Sequence, residues 1–222
     1  MPARSSPAPR RRQAGLAAAL LVWGGVTAGG AVFLARYDAT AGAFARAADR
    51  WPEGSTIDLD PRRPTLVTIV HPRCACSRAT IRELSRLMSR LGDRVAARIV
   101  VAVPGAAGDD WLRTDLVESA RAVPGAAVLV DAGRIEAARF GALTSGQTFL
   151  YSPAGRLLFT GGITSARGHD GDNDGAQRIA AILTSAPGGP LDGAIAVTPV
   201  FGCEIHDPDD AVSARRAHRM TR

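Results

Sequence analysis

Residues 65–92 read TLVTIVHPRCACSRATIRELSRLMSRLG, and this stretch decides the fold. Its first six residues, 65–70, are a β-branched apolar run of the kind found in buried strands. Over 77–91 apolar side chains recur at helical spacing with arginines on the opposite face, which predicts an amphipathic helix. Gly92 is expected to end that helix. A buried strand that leads directly into a helix predicts the start of an α/β domain, and two cysteines lie at the junction.

Strands and helices alternate through the rest of this domain. The patterns predict further strands at 95–103, 126–130, 148–151 and 156–160, and helices at 110–122, 134–142 and 175–185. The turn at 152–155, Ser-Pro-Ala-Gly, is typical of a hairpin between the last two strands. We therefore expect a mostly parallel central sheet with helices on both faces, closed by a β-hairpin and a last helix.

The N-terminal part of the chain predicts a membrane element. Residues 14–35 are an uncharged, apolar run of 22 residues, and about 20 such residues span a bilayer as a helix. Three arginines at 10–12 precede it, so the positive-inside rule places the N-terminus in the cytoplasm. We expect a single-pass anchor in a bacterial inner membrane, with the C-terminal domain in the periplasm. A cleaved signal peptide, with Ala39-Thr40-Ala41 as the cleavage region, is the alternative.

Composition divides the chain into five segments. These are a basic cytoplasmic tail (1–13), the transmembrane anchor (14–35), a stalk (36–63), the folded domain (64–205) and a flexible C-terminal tail (206–222).

The net charge of +6 comes from the N-terminal region. Residues 1–36 hold five of the 27 basic residues and no acidic one, which leaves 22 basic against 21 acidic residues in the remainder. A nucleic-acid-binding protein would have its basic surface on the folded domain. We therefore expect no nucleic-acid partner.

The two cysteines of the first stretch are the candidate catalytic residues. Cys74 and Cys76 lie where the first strand leads into the first long helix, and the helix dipole and free backbone N–H groups at that end favour a thiolate. Arg73 and Arg78 add positive charge nearby. Because the thiolate is the nucleophile in disulfide exchange, we expect Cys74 to attack and Cys76 to resolve the mixed disulfide. The alternative is a pair of buried structural cysteines.

Cys203 is the third cysteine. It ends the apolar stretch 199–203 of an otherwise polar C-terminal region, and that stretch could fold back onto the domain. Cys203 is a candidate third thiol of the site or a third metal ligand; as the alternative, it is a small buried hydrophobic residue.

Copper binding is the rival hypothesis for the same cysteines. Soft thiolates bind Cu(I), and imidazole is an acceptable third ligand. The candidate metal ligands are Cys74 and Cys76 with His169, and His71 and Cys203 are further candidates. As alternatives, His71 is a strand-end residue bonded to backbone and His169 a solvated loop residue. Disulfide exchange itself requires no cofactor.

Four stretches together resemble a group of thioredoxin-like proteins. They are HPRCACS at 71–77, YSPAGRLLFTGGIT at 151–164, SARGHDGDN at 165–173 and TPVFGCEI at 198–205. The resemblance is to membrane-anchored TlpA/ResA-like proteins and most closely to RedB-like proteins, over about 65–205. It implies a thioredoxin-like fold with a helix–strand insertion at 110–130. It also implies a thiol–disulfide oxidoreductase acting on exported or membrane protein thiols and disulfides.

The sequence departs from the thioredoxin pattern at two places. Thioredoxins have Cys-x-x-Cys preceded by Trp, whereas this chain has Cys-x-Cys preceded by Arg73, and the tighter ring makes a disulfide easier to reduce. Thioredoxins also place a cis-proline opposite the cysteines, but residues 144–148 read TSGQT. We expect Ser145 or Gly146 to face Cys74 from a loop with trans peptides.

The missing proline bears on the copper hypothesis, because in thioredoxins it keeps metal away from the cysteines. Sco copper chaperones, which combine two cysteines with a distant histidine on this fold, provide the analogy for a copper carrier. A thioredoxin-shaped scaffold with inert cysteines is a third alternative.

Overall fold

The computed structural model describes residues 8–105, 107–185 and 194–205. The predicted tail at 206–222 and residues 1–7 of the basic tail lie outside the described residues. The chain separates into two compact units, Met1–Asp38 and Ala39–Arg222.

The first unit is a single long helix, α1, at Ala8–Asp38. The most apolar stretch within Gln13–Asp38 has a mean hydropathy of 1.8, and no part of that stretch is buried. By length and composition this helix could cross a membrane, and a signal sequence would meet the same criteria. The predicted apolar helix is therefore present, and its role as an anchor stays a prediction.

The second unit alternates strands and helices. Its strands are β1 (Thr65–Val70), β2 (Ala96–Val103), β3 (Ala126–Ala132), β4 (Gln147–Tyr151), β5 (Leu157–Gly161) and β6 (Ala196–Val197). Its α-helices are α2 (Ser77–Leu91), α3 (Asp115–Arg121), α4 (Ile135–Phe140) and α5 (Asp174–Thr184), with short 3-10 turns at Gly92–Arg94 and Asp109–Leu112.

The six strands form one mixed sheet in the order β3-β2-β1-β4-β5-β6. Neighbouring strands β1, β2 and β3 are parallel, and β4 runs antiparallel both to β1 and to β5. Setting aside α3 and β3, the remaining order β2-β1-β4-β5 with its three helices is the thioredoxin arrangement. The fold is thus a thioredoxin-like α/β fold in which α3 and β3 form the predicted helix–strand insertion.

Both faces of the sheet are covered, as predicted. One apolar cluster packs α2, α3 and α5 against the sheet, and Leu84, Leu116 and Ile179 are buried in it. A second cluster on the other face includes Phe140 of α4 and Tyr151 of β4. Because β1 and β2 lie between these clusters, nearly every residue in them is buried. This rigid centre holds the N-terminal end of α2 in place.

Two predicted elements differ from the structure. The helix expected at 110–122 is divided, because Thr114 adopts extended backbone and caps α3 by accepting a hydrogen bond from Val117 N–H. The strand β3 was expected to be buried, yet Val130 is 50% exposed. The reason is its position at the edge of the sheet, where no further strand covers it.

The segment predicted as a stalk is part of the second unit from residue 39 onward. Ala47 and Ile57 are buried, and the Trp51 ring meets the rings of Phe140 and Tyr151 edge-on at 5.2 Å between centroids. Its composition predicted a stalk, because the stretch has no periodic pattern of apolar residues. Its scattered apolar side chains nevertheless cover one face of the sheet.

Candidate active site

The loop between β1 and α2 brings both cysteines to the N-terminal end of α2. Cys76 is the residue immediately before the helix, which begins at Ser77. A tight turn precedes it, in which Cys74 N–H donates to His71 O at 3.0 Å and Ser77 N–H donates to Cys74 O at 3.2 Å. The predicted position of the two cysteines at a helix N-terminus is confirmed.

The third thiol arrives from the C-terminal part of the domain. Residues 198–205, called here the C-terminal strap, run beside the loop 144–146 and are fixed to it by backbone hydrogen bonds. Ser145 N–H donates to Cys203 O at 2.8 Å, and Ile205 N–H donates to Leu143 O at 3.0 Å. A Cβ on Gly202 would overlap the Ser145 carbonyl oxygen, so the approach requires glycine there. The strap thus folds back, as the apolar stretch 199–203 suggested.

The three sulfurs form one cluster. Those of Cys74, Cys76 and Cys203 all lie within 4.8 Å of one another, and all three residues are free cysteines. They differ in access, since Cys74 is 2% exposed whereas Cys76 and Cys203 are partly exposed. The sequence prediction of Cys74 as the attacking sulfur stays a prediction, and this burial argues against it.

Hydrogen bonds to the Cys74 sulfur lower the pKa of its thiol well below the ordinary value. The largest contribution is the hydrogen bond from the Cys203 side chain; burial opposes it, and the Ser77 hydroxyl and the backbone N–H groups of Cys203 and Ser77 add to it. Donors aimed at a sulfur favour its charged form. These donors make the Cys74 thiol easier to ionise than an ordinary cysteine.

The other two thiols stay protonated. Burial first, and then the negative charge of Cys74, raise the pKa of Cys76. The pKa of Cys203 is raised chiefly because its S–H donates to Cys74. The positive charge of Arg167 acts on Cys76 in the opposite direction. Of the three thiols, that of Cys74 is therefore the most acidic.

A chain of hydroxyl groups supports the thiolate. His71 N–H donates to Ser145 Oγ at 2.6 Å, and Ser145 Oγ lies 2.6 Å from Ser77 Oγ. Either serine hydroxyl can be the donor in this contact. Sequence reasoning found Ser145 by its position before β4. It missed Ser77, for which the only signal was a hydroxyl residue at the helix start.

The loop that replaces the cis-proline contacts the site through Ser145. Gly146 has a φ of 95° and donates its N–H to Ile69 O at 2.7 Å. Residues 8–105, 107–185 and 194–205 contain no cis peptide, so the predicted trans loop is confirmed. Both predicted residues are buried beside the strap, and Ser145 reaches Cys74 through Ser77 and Cys203.

The charged residue before Cys74 points toward the insertion. The Arg73 guanidinium pairs with Asp110 at 2.6 Å and lies 3.7 Å from the centre of the Trp111 ring. Arg78 pairs in the same way with Asp115 at 2.7 Å. Both arginines are paired with carboxylates, and the hydrogen bonds from Cys203 and Ser77 are among the largest contributions to the lowered pKa of Cys74.

Neither candidate histidine joins the sulfur cluster. His71 is buried, and its ring meets the Trp111 ring edge-on at 5.5 Å. His169 is exposed, and its Nδ1 lies 2.9 Å from Arg167 O. Within the part of the chain that the structure describes, the group able to hold a metal ion is Cys74, Cys76 and Cys203. The candidate ligand His169 is thus not part of this group, and the further candidate Cys203 completes it instead.

A cavity of about 240 Å³ lies beside the active-site loop. Its wall is formed by Cys74 and the residues next to it in the loop, together with the start of α3 at Thr114 and Asp115. A larger cavity of about 570 Å³ lies between α2 and α5, and no thiol lines it. The contribution of the insertion to the surface around the active-site loop was not predicted, since nothing in the spacing of Trp111 or Thr114 pointed to the cysteines.

Comparisons with known proteins support the fold. No protein-family model matches the sequence, and no curated protein matches it. A hypothetical protein from Sinorhizobium meliloti 1021 is 21% identical with a TM-score of 0.51, over 75% of this chain and 93% of that chain. An uncharacterized conserved protein from Geobacillus kaustophilus is 16% identical with a TM-score of 0.53, over 77% and 94%.

A more distant match has a described activity. A secreted disulfide oxidoreductase from Mycobacterium tuberculosis is 14% identical with a TM-score of 0.40, over 56% of this chain and 82% of that chain. At such a distance the match adds nothing to the argument. The comparisons therefore show the fold, and the activity must be argued from the site.

Proposed function

We propose that this protein is a thiol–disulfide oxidoreductase that uses Cys74 and Cys76 as its redox pair. The observation that supports it is the cluster of three free thiols at the N-terminal end of α2, within 4.8 Å of one another. One of them, Cys74, is held as a thiolate by hydrogen bonds from Cys203 and Ser77. A thiolate beside a thiol is the reduced state of a disulfide couple, and loss of two electrons joins the two sulfurs.

The proposal includes an exported location. The apolar helix α1 would anchor the chain in a bacterial inner membrane, with three arginines at 10–12 on the cytoplasmic side. The domain would then face the periplasm, where disulfides form and persist. Its partners would be exported or membrane protein thiols and disulfides, in keeping with the resemblance to TlpA/ResA-like and RedB-like proteins.

The test is disulfide exchange by the full-length protein in detergent. A reduced peptide with two cysteines serves as substrate, oxidised glutathione serves as the terminal oxidant, and the loss of free thiols is followed with time. Cys74→Ser and Cys76→Ser should each reduce the rate to the uncatalysed background. Ser89→Ala, an exposed position on the same helix, is the matched control and should retain the full rate. Unchanged rates in both cysteine variants would overturn the proposal.

A copper carrier is the second candidate function, and the convergence of the third sulfur favours it. Three thiolates around one ion, at the bond length of about 2.3 Å that zinc makes to sulfur, would lie about 4 Å apart. The three sulfurs here are within 4.8 Å, so a small closure of the strap would suffice. Soft thiolate donors select Cu(I) among the common ions.

Copper binding is tested by titrating the reduced protein with Cu(I) against a competing chelator. The copper proposal expects about one ion per chain, lost in the double variant Cys74→Ser, Cys76→Ser and weakened in Cys203→Ser. His169→Ala is the control and should bind as the native protein does. Reduced protein that retains no copper would dispose of this candidate.

A further inference from the structure

The inference concerns the direction of the exchange reaction and the role of each sulfur, and it rests on the proposed function. Three observations bear on it: the difference in access among the sulfurs, the donors gathered on Cys74, and the position of a positive charge. Each is independent of which protein the domain acts on.

The two cysteines of the redox pair differ in their exposure to solvent. Cys74 is 2% exposed, whereas Cys76 is partly exposed. Exchange requires a thiolate to reach one sulfur of a disulfide, so access decides which sulfur is attacked. The strap helps to close off Cys74, because Gly202 packs directly against the Ser145 backbone and Cys203 lies beside it. Solvent exposure therefore favours attack on Cys76, while Cys74 lines the cavity of about 240 Å³ beside α3.

The hydrogen-bond donors are concentrated on the covered sulfur. The Cys203 thiol lies within 4.8 Å of the Cys74 sulfur, and the start of α2 at Ser77 adds the free backbone N–H groups of a helix N-terminus. A sulfur stabilised as a thiolate departs faster from a disulfide. Donors at this position stabilise a departing sulfur that remains inside the protein.

Positive charge lies on the substrate side. The charge of Arg167 acts on Cys76, and its guanidinium also donates to Gly202 O of the strap. An incoming thiolate is attracted to that position. Arg73 and Arg78 are paired with carboxylates of the insertion and supply no such charge.

We infer that the protein oxidises dithiols by a reaction in which the substrate thiolate attacks Cys76 and expels Cys74, with Cys203 as hydrogen-bond donor to the departing sulfur. The substrate sulfur forms a bond to Cys76 Sγ while the Cys74–Cys76 bond breaks, and the electron pair goes to Cys74. The second thiol of the substrate then loses its proton and attacks the substrate sulfur, which releases Cys76. Of the two protons that the substrate dithiol loses, Cys76 takes up one and the solvent takes up the other.

Over these reaction steps, one disulfide is formed and one is broken. The substrate dithiol loses two electrons and becomes a disulfide, and the protein disulfide gains them and becomes one thiolate and one thiol. Oxidation of the protein back to its disulfide requires a second disulfide as oxidant, and an excess of oxidised glutathione serves as that oxidant in the assay. A reduced state stabilised as a thiolate makes such a couple a stronger oxidant.

The first test maps the site of attack. Full-length protein carrying Cys203→Ser, so that no third thiol can exchange, is oxidised and then mixed briefly with reduced glutathione. The reaction is quenched with strong acid and free thiols are blocked. Trypsin cleaves after Arg73 and Arg78 and releases Cys74-Ala75-Cys76-Ser77-Arg78, whose fragments locate the adduct.

We expect the glutathione adduct on Cys76. An adduct on Cys74, or consumption of glutathione with no adduct on Cys76 at any time, would overturn the inference and leave the proposed function standing. Protein that never forms a disulfide with oxidised glutathione would instead contradict the proposed function itself. The two failures are therefore distinguishable.

The second test concerns Cys203, compared as Cys203→Ala and Cys203→Ser. A hydrogen bond to a charged group is a strong one, so its loss in the alanine variant should slow dithiol oxidation by about tenfold or more. The serine hydroxyl is also a donor and should restore most of the rate. Equal, severe losses in both variants would indicate that Cys203 itself forms a disulfide, and equal native rates would indicate no role; either result overturns the assignment.

Discussion

The sulfur of Cys203 lies within 4.8 Å of the sulfur of Cys74, although the two residues lie at nearly opposite ends of the domain's sequence. This contact joins the C-terminal strap to the N-terminal end of α2. It also makes the site a three-sulfur arrangement, in which the thiolate is the most buried member and the two thiols are more accessible. The properties of the site therefore depend on the strap and the loop that holds it.

Removal of the Ser145 hydroxyl should weaken both the fold and the site. In Ser145→Ala, the buried His71 N–H loses its acceptor and Ser77 loses the partner 2.6 Å away. A buried donor left unsatisfied costs about 1–3 kcal/mol, so the free energy of unfolding should fall by about that amount. Urea denaturation of the full-length protein in detergent measures it, with the exposed Ser89→Ala as control.

The same variant has a second expected effect. Ser77 would be free to rotate away from Cys74 once Ser145 no longer holds it, so the rate of dithiol oxidation should also decrease. Ser145→Thr keeps the hydroxyl and should retain more activity than Ser145→Ala. A Ser145→Ala protein with native stability and native rate would show that the hydroxyl chain has no role.

A methyl group at position 202 should displace the strap. In Gly202→Ala the new Cβ would overlap the Ser145 carbonyl oxygen, and the backbone must shift to avoid it. We expect a loss of about 1–3 kcal/mol in stability and faster alkylation of Cys203 by iodoacetamide. Gly105→Ala is the matched control, because a Cβ there meets only an ordinary contact at 3.8 Å. Native alkylation in Gly202→Ala would mean that the strap tolerates the added group.

Glu136 should make stability depend on pH. Its carboxylate is buried and accepts hydrogen bonds from Ser55 Oγ at 2.6 Å and Thr56 N–H at 3.1 Å. Burial alone would raise the pKa of Glu136, but these bonds and the Arg139 guanidinium outweigh it and lower the pKa below the ordinary 4.5. The folded state therefore favours the ionised form, and the contribution to stability is present above about pH 4.5 and is lost as the pH falls through the lowered value.

The corresponding variant is Glu136→Gln. It should be less stable than the native protein at pH 7, and the difference should shrink as the pH is lowered below 4.5. Thermal unfolding across that range measures the effect, with the exposed Glu118→Gln as control. A constant difference at every pH would contradict a role for the carboxylate charge in holding residues 55–57 on α4.

The parts of the fold that were predictable are those whose pattern is local. Thr65–Val70 and Ser77–Leu91 have the bounds that their sequence predicts, because a continuous apolar run and a 3.6-residue period each allow one structure. The placement of Cys74 and Cys76 at the start of α2 follows from those bounds. The parallel strands and the closing hairpin of β4 and β5 followed from the alternation of strands and helices and from the turn at 152–155.

The parts that were not predictable depend on contacts between distant segments. Nothing in the sequence near Cys203 states that its thiol will hydrogen-bond Cys74, since the strap is positioned by Ser145 and Gly202. Trp51 likewise packs on Phe140 from a segment without periodicity. The burial of Cys74 also depends on such contacts, so an attacking role seemed plausible from its place at the helix start alone.

The most direct test of the central claim is a redox titration of the full-length protein with mixtures of reduced and oxidised glutathione. Free thiols are counted at each ratio by alkylation and mass measurement. The account predicts a reversible two-electron transition that consumes two of the three thiols. The two thiols consumed should be those of Cys74 and Cys76, and the transition should be absent in Cys76→Ser. Three free thiols at every ratio, or an unchanged transition in Cys76→Ser, would contradict it.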